Sequence, residues 1–471
     1  MNNVLQLPTS WQIKTLGEVC EITMGQSPLG EKVINKKQNT NSKALEFHQG
    51  KICFTDKFIT ESEVVTTDIR KVAQSNSILL CVRAPVGVIN ITQRQIAIGR
   101  GLCALNFKDK NSNNDFLYFY LLTLKNYFNE KATGSTFSAI NLDTIKNTKI
   151  PLPPLEIQKR IVARLESAFE KIEKGSAHLQ DAKTKLAKYK QSLLKSAFNG
   201  TLFCHTEGEA RSISNQESRD ISLTLNMTNS PSLRASVASV AIHESKVDCH
   251  DLTSSNLAMT DKENPKLPQG WTIKTLGEIA FVTKLAGFEY TKYIYPNLSD
   301  FGIPLFKGKN IQGNKLILKF ESYIPKEISN QLERSKLNKK CILTPYVGSI
   351  GNVAIFDGSF EAHLGSNVGK IEILNNNALE EYICYFLQSG IGYLELTKHK
   401  KATAQESISI AAIRDVKIPL PPLEIQKQIV KLLEKHLQHA DKAGKFIESA
   451  LNKAKQLKQS LLKSAFLGKL T

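Results

Sequence analysis

The eleven residues KIPLPPLEIQK occur twice, at 149–159 and again at 417–427. Such an identity within one chain restricts the fold to two copies of one plan. WQIKTLGE at 11–18 returns as WTIKTLGE at 271–278, each preceded by Leu-Pro, and KQSLLKSAF at 190–198 returns at 458–466. Each half therefore runs in one order: a Trp-led marker, a divergent segment, the Pro-rich stretch, and a helical segment closed near Gly200 or Gly468. Between the halves, 203–265 shifts to Ser, Thr and Asn without sustained periodicity and reads as a linker. An apolar alternation at 237–242 is its one strand-like piece.

The Pro-rich stretch is a helix start. Pro153-Pro154 cannot lie inside a helix but suits its first position, and Glu156 then meets the positive end of the helix dipole. Leu165, Ile172, Leu179, Leu186 and Leu193 recur every seven residues, with Ile161, Ala168, Gly175, Ala182 and Tyr189 as the companion column. The second copy is less regular: Ile429, Leu433, Leu437, Ala440, Ile447, Ala454 and Leu461. These are coiled-coil seams, and the small column invites close approach by the equivalent helix running antiparallel. About 45 residues make a rod of roughly 65 to 70 Å, near two turns of duplex DNA.

The divergent segments are mixed in type. Residues 77–91 and 95–107 are β-branched runs broken by Pro and Gly, followed by helical spacing at 115–128; 302–316, 341–357 and 378–394 follow in matching order. The expected fold class is α+β: two mixed α/β domains, two long helices in an antiparallel coiled coil, and a pseudo-twofold internal repeat. Lys and Arg number 62 against 44 Asp and Glu, a net charge of +18, which favours a polyanionic partner. The opening MNNVLQLPTSWQ lacks a charged segment followed by an apolar run, and no run of eighteen apolar residues occurs. A cytoplasmic protein without a membrane span is expected. The eight cysteines form no C-x-x-C pair, so reduced, buried thiols are expected rather than a zinc site.

These motifs together resemble the specificity subunit of a type I restriction-modification system. The resemblance is carried by the paired W-x-I-K-T-L-G-E markers, RAPVG and IGRG in the first half, GIPLFKGKNIQG in the second, and the duplicated I-P-L-P-P-L-E-I-Q with its helix. It implies target-recognition domains at 1–152 and 266–420, spacer helices at 153–202 and 421–471, and a linker at 203–265. It further implies binding of double-stranded DNA at a bipartite site, with two methyltransferase subunits and, through the complex, restriction subunits of the motor-nuclease type as partners. No catalytic residue, metal or cofactor is assigned. Leu152 and Leu420 precede each Pro-Pro and Leu155 and Leu423 follow it, unlike the adenine methyltransferase motif, and no phosphate-binding loop of the G-x-x-x-x-G-K-[ST] type occurs. The alternative is a coiled-coil scaffold without sequence recognition, which would leave two basic domains without a task.

Basic and amide side chains in Gly-rich turns suit phosphate and base-edge contacts. The candidates are Gln49, Lys51, Arg83, Arg94 and Arg100 in the first domain, and Lys307, Lys309, Asn310, Asn352 and Asn367 in the second. Lys131, Ser135 and Thr136, with Lys398, Lys400 and Lys401, precede the spacer helices and are candidates for clamping backbone phosphates. Arg83 and Arg100 have internal pairing as their competing use. His48 and His363 are expected to be hydrogen-bonded turn residues.

Overall fold

The computed structural model describes residues 8–38, 42–109, 112–134, 138–199, 267–400 and 406–470. The linker at 203–265, the alternation at 237–242 and Gly200 lie outside them. The repeated marker has a local explanation. Its Ile-Lys-Thr segment is a strand, Gln12–Thr15, paired antiparallel with Lys149–Leu152, and Thr272–Thr275 pairs likewise with Lys417–Leu420. The Thr and Glu of each marker form a capping box: Glu18 Oε2 accepts from the Thr15 backbone N at 2.5 Å and from its hydroxyl at 2.7 Å. Glu278 does the same for Thr275 at 2.6 and 2.8 Å. The intervening Leu16 and Leu276 are buried in their respective cores.

Contacts divide the chain into two compact units, Met1–Ala182 with Phe446–Thr471, and Lys183–Lys445. In the first unit an antiparallel sheet runs in the order Cys20–Met24, Leu102–Phe107, Ile78–Cys81, Ile89–Ile91. A second sheet runs Val33–Asn35, Val64–Thr66, Leu45–His48, Ile96–Ile98, Val72–Ala73, with Leu45–His48 and Ile96–Ile98 parallel. Helices Asn114–Thr123 and Lys125–Lys131 cover the first sheet, in place of one continuous helix. The second unit repeats the plan. Its sheets run Ala280–Lys284, Val368–Ile373, Cys341–Pro345, Ala354–Phe356 and Tyr323–Ile324, Ile303–Phe306, Ala362–Leu364, Lys336–Leu337, again with one parallel pair, Ile303–Phe306 with Ala362–Leu364.

The long helices are Leu155–Phe198 and Leu423–Phe466, each of 44 residues. At 1.5 Å per residue that is about 65 Å. The Gln of the repeated stretch pins each helix start to its domain. Gln158 accepts from Asn113 N at 3.0 Å and donates to Pro153 O at 2.9 Å. Gln426 accepts from Leu379 N and donates to the carbonyls of Asn377 and Pro421, all at 2.9 Å. Both are buried, where an unpaired amide would be expensive.

The helices pair antiparallel inside each unit. In the first, Arg164 donates to Leu470 O and Lys458 to Glu173, both at 2.7 Å. In the second, Lys190 pairs with Asp441 and the Tyr189 hydroxyl meets His436 Nδ1 at 3.0 Å. Burial along the seam is uneven: Ile161, Leu165, Ile429, Leu433, Ala440 and Ile447 are buried, whereas Ile172, Leu179 and Leu186 are half-buried. One expectation is corrected at Gly175, where a Cβ would meet nothing within 4 Å; the partner helix comes near at Gly444, where a Cβ would lie 3.6 Å from Leu186 Cδ2, in ordinary contact. KQSLLKSAF also takes on a meaning its letters do not carry. Leu193, Leu194, Ala197 and Phe198 enter the core of the second unit, and Leu462, Ala465 and Phe466 that of the first. Beyond Phe466, Gly468 adopts φ +73° and Lys469 N donates to Ser464 O at 3.0 Å, a left-handed cap. Among the described residues, no helix is long and apolar enough to cross a membrane.

Candidate nucleic-acid interface

Three turns of the first unit converge because of how its strands pair. The parallel pairs Phe47 with Ala97 and His48 with Ile98 bring the turn after His48 beside the turn after Ile98. Leu102 opposite Cys81 then brings up the loop that follows the strand Ile78–Cys81. The approach depends on glycine: a Cβ at Gly101 would lie 2.2 Å from Gln49 O, and one at Gly99 would lie 2.9 Å from Phe47 Cζ. Any side chain there would push the turns apart.

The convergence makes a cavity of about 160 Å³ lined by Gln49, Lys51, Arg83 and Arg100, together with Pro85. Four of the five turn candidates of the first domain thus share one site. Their side chains are exposed, and among the described residues no carboxylate lies within ion-pair distance of Lys51, Arg83 or Arg100. Three cations facing one concavity without counter-charges form an anion-attracting surface. Ser138 O accepts from Ala84 N at 3.1 Å and Val82 O from Ile140 N at 3.0 Å, which fixes the Arg83 loop.

Arg94, the fifth candidate, is used internally. Its guanidinium donates to both Glu46 oxygens at 2.6 Å and to Thr60 O at 2.9 Å. Burial pushes the Glu46 carboxyl up, but hydrogen bonds from Arg94, Ser62 N and His48 outweigh it and bring its pKa down to about 2. His48, 2.7 Å from Glu46, is held below its ordinary pKa by burial, against the pull of that carboxylate. His48 therefore closes a strand-end network, and His363 is a buried strand residue whose Nδ1 lies 2.8 Å from Leu364 O.

In the second unit Gly308 N donates to Ser366 O at 3.2 Å and Tyr346 N to Asn367 O at 3.1 Å, so the corresponding turns meet in the same way. Asn367 sits at φ +66°, a left-handed position. Lys307 donates to Ser322 Oγ at 2.7 Å; burial and the neighbouring Lys309 charge lower its pKa. Lys309 pairs with Glu321. Asn310 is buried, donating to the carbonyls of Ile317 at 2.9 Å and Lys319 at 3.0 Å. Asn352 accepts from Asn314 N at 3.2 Å and donates to Ser349 O at 3.0 Å.

Of the residues before the long helices, Lys131 and Lys398 are exposed and Lys400 pairs with Glu406 at 2.7 Å. Ser135, Thr136 and Lys401 lie outside the described residues. Two further residues flank these turns without a sequence signal. Ile52, next to Lys51, is 96% exposed although an isoleucine in such a run resembles core. Lys284, at the end of the strand Ala280–Lys284, lies over the ring of Tyr346, just past the strand Cys341–Pro345, 4.5 Å from its centroid, a contact between residues distant in sequence. Among the described residues no group of three His, Cys, Asp or Glu side chains could hold a metal.

Comparison with known proteins bears on this architecture. The profile of the type I restriction modification DNA specificity domain matches residues 8–179 and 268–448. The EcoBI type I restriction enzyme specificity subunit of Escherichia coli is 23% identical over 376 residues, covering 79% of this chain and 69% of that protein. A putative MjaX specificity subunit of Methanocaldococcus jannaschii is 33% identical over 186 residues, 38% of this chain and 42% of its own. A structure solved in a study of complex assembly and conformational transition of the type I R-M system superposes with a TM-score of 0.70 at 18% identity, covering 98% of this chain and 99% of the other, a likeness of fold. The chain therefore belongs to the type I restriction modification DNA specificity domain family and carries that domain twice.

Proposed function

We propose that the chain is the DNA sequence-specificity subunit of a type I restriction-modification complex in the cytoplasm, and that each unit binds one half of a bipartite target through its converging turns. The observation that carries this reading is the cleft where Gln49, Lys51, Arg83 and Arg100 meet with no acidic partner among the described residues, on a plan repeated in the second unit. Unpaired arginines with a neighbouring amide suit phosphate contacts and bidentate recognition of base edges. Lys307 and Asn367 occupy the matching turns of the second unit, and Lys131 and Lys398, with Ser135, Thr136 and Lys401, are the proposed phosphate contacts near the helix starts.

Arg94, Asn310 and Asn352 hold the turns in shape, since their polar atoms are already engaged, and the pairing of Lys309 and Lys400 with acidic side chains makes them weaker contacts. The chain contributes recognition and no chemistry. Adenine methylation and cleavage belong to partners, two methyltransferase subunits and the restriction subunits, and the duplicated helix starts offer the methyltransferase equivalent docking positions. The domains read 1–152 and 266–420, with spacer helices at 153–202 and 421–471 and a linker at 203–265.

The test is reconstitution with the methyltransferase encoded beside it and a methyl donor, followed by single-molecule sequencing of methylated adenine. One split motif is expected. Exchanging residues 19–148 for those of a relative should change one half of that motif and keep the other. An uninterrupted motif, or a swap that alters both halves together, overturns the proposal and favours a scaffold role.

A further inference from the structure

We propose that Ile52 contacts a thymine methyl group in the half-site bound by the first unit, an inference that rests on the cleft being a DNA-reading surface. At 96% exposure, Ile52 is the most exposed large apolar side chain among the described residues. It sits in the middle of the one-turn helix Lys51–Cys53, directly after the Lys51 that lines the cleft with Arg83 and Arg100. The turn is firmly held. Phe54 N donates to Lys51 O at 2.9 Å and Thr60 N to Cys53 O at 2.8 Å, and Phe54 packs on the core around Ile59, Leu79 and Ile98.

A branched aliphatic side chain held in water, next in sequence to one of three cleft cations that meet no carboxylate among the described residues, matches a partner that is both anionic and apolar there. The major groove of duplex DNA offers such a side chain one alkyl group, the 5-methyl of thymine, set among hydrogen-bonding atoms and ring C–H groups. A phosphate flanking it would lie against Lys51, leaving Arg83 and Arg100 to neighbouring base edges. The second unit differs at this position. Counting from the parallel pairs His48 with Ile98 and Phe306 with Leu364, Ile52 corresponds to Asn310, which is buried and bonded to Ile317 O and Lys319 O. Dependence on this methyl contact therefore belongs to one half-site.

The test uses the full chain with its methyltransferase partner and a duplex carrying the sequenced motif, with each thymine of both half-sites replaced singly by uracil. That change removes the methyl and keeps every hydrogen bond. At one position of the half-site that follows residues 19–148, uracil should weaken binding about fourfold, the worth of one buried methyl. Ile52→Ala should weaken binding to the thymine duplex by at least as much and bind the thymine and uracil duplexes equally. Its salt dependence should match the wild type, because no phosphate contact is lost, and its thermal midpoint should not move. A motif with no uracil-sensitive position, or one whose sensitivity survives Ile52→Ala, overturns this inference alone. Absence of any preferred motif overturns the reading of the cleft, and this inference with it.

Discussion

Phe466, the last residue of the second long helix, packs edge-on against Phe116 with ring centroids 5.2 Å apart, and Tyr120 meets the same ring at 5.1 Å. The first unit thus closes its core with a side chain 350 positions downstream of Phe116 in the sequence. Phe466→Ala should cost about 3 to 5 kcal/mol, as aromatic truncations in cores do. Native-state hydrogen exchange will localise the effect: protection should fall in 116–121 and hold in 382–387. Phe198→Ala should do the reverse, because Phe198 packs on Tyr382 and Phe386.

Arg94 and Glu46 lead to a pH prediction. Glu46 has a folded pKa of about 2 against an ordinary 4.5, so its contribution is fully present above pH 4.5 and is lost as pH falls from there towards 2. Neutral His48, with its pKa lowered by burial, adds a loss that begins below about 6.5. Urea unfolding of a Trp271→Phe variant, followed through Trp11, should lose up to about 3 kcal/mol across the Glu46 window. Glu46→Gln should be less stable at neutral pH and should lose less than the parent between 4.5 and 2, the remaining slope coming from Glu18, Glu61 and Asp68, whose carboxyls are also held low.

The cleft cations should separate into two kinds by their salt dependence. If Lys51 meets phosphate, Lys51→Ala will weaken binding equally for cognate and unrelated duplexes and reduce the slope of log K against log salt by about one. Arg83→Ala and Arg100→Ala should each relax one base pair of a single half-site, at about 1 to 3 kcal/mol. Fluorescence anisotropy over a salt series with single-substitution duplexes measures both.

Gln426 makes three hydrogen bonds where Gln158 makes two. Gln426→Ala strands Leu379 N and two carbonyls in a buried place and should destabilise the second unit by about 2 to 4 kcal/mol. Gln158→Ala should cost the first unit less. Chemical denaturation of the two variants, each followed by the tryptophan of its own unit, tests the order.

The helix starts, the heptad spacing and the doubling of the chain are written locally, in Pro153-Pro154, in Leu165 and its heptad mates, and in the identical markers, which is why they are legible in sequence. What was illegible is long-range. Arg83 and Arg94 look alike as letters, yet Arg94 meets Glu46 and Arg83 meets no carboxylate among the described residues, a difference set by strand pairing. Asn310 reads as an exposed amide in a Gly-rich turn and is buried, because the carbonyls of Ile317 and Lys319 fold back onto it. The small column points to Gly175 as a contact, whereas the partner approaches at Gly444. Nothing in KQSLLKSAF says which core it enters.

The crossed placement of those nine residues bears on ancestry. Each half carries the plug for the other's core: Leu193, Leu194 and Phe198 from the first repeat, and Leu462, Ala465 and Phe466 from the second. A gene encoding one repeat would make a protein with an unfilled apolar socket and an uncovered plug that fit each other only between molecules. A forerunner with a single repeat would on that account need a second copy of itself, each seating its plug in the other's core.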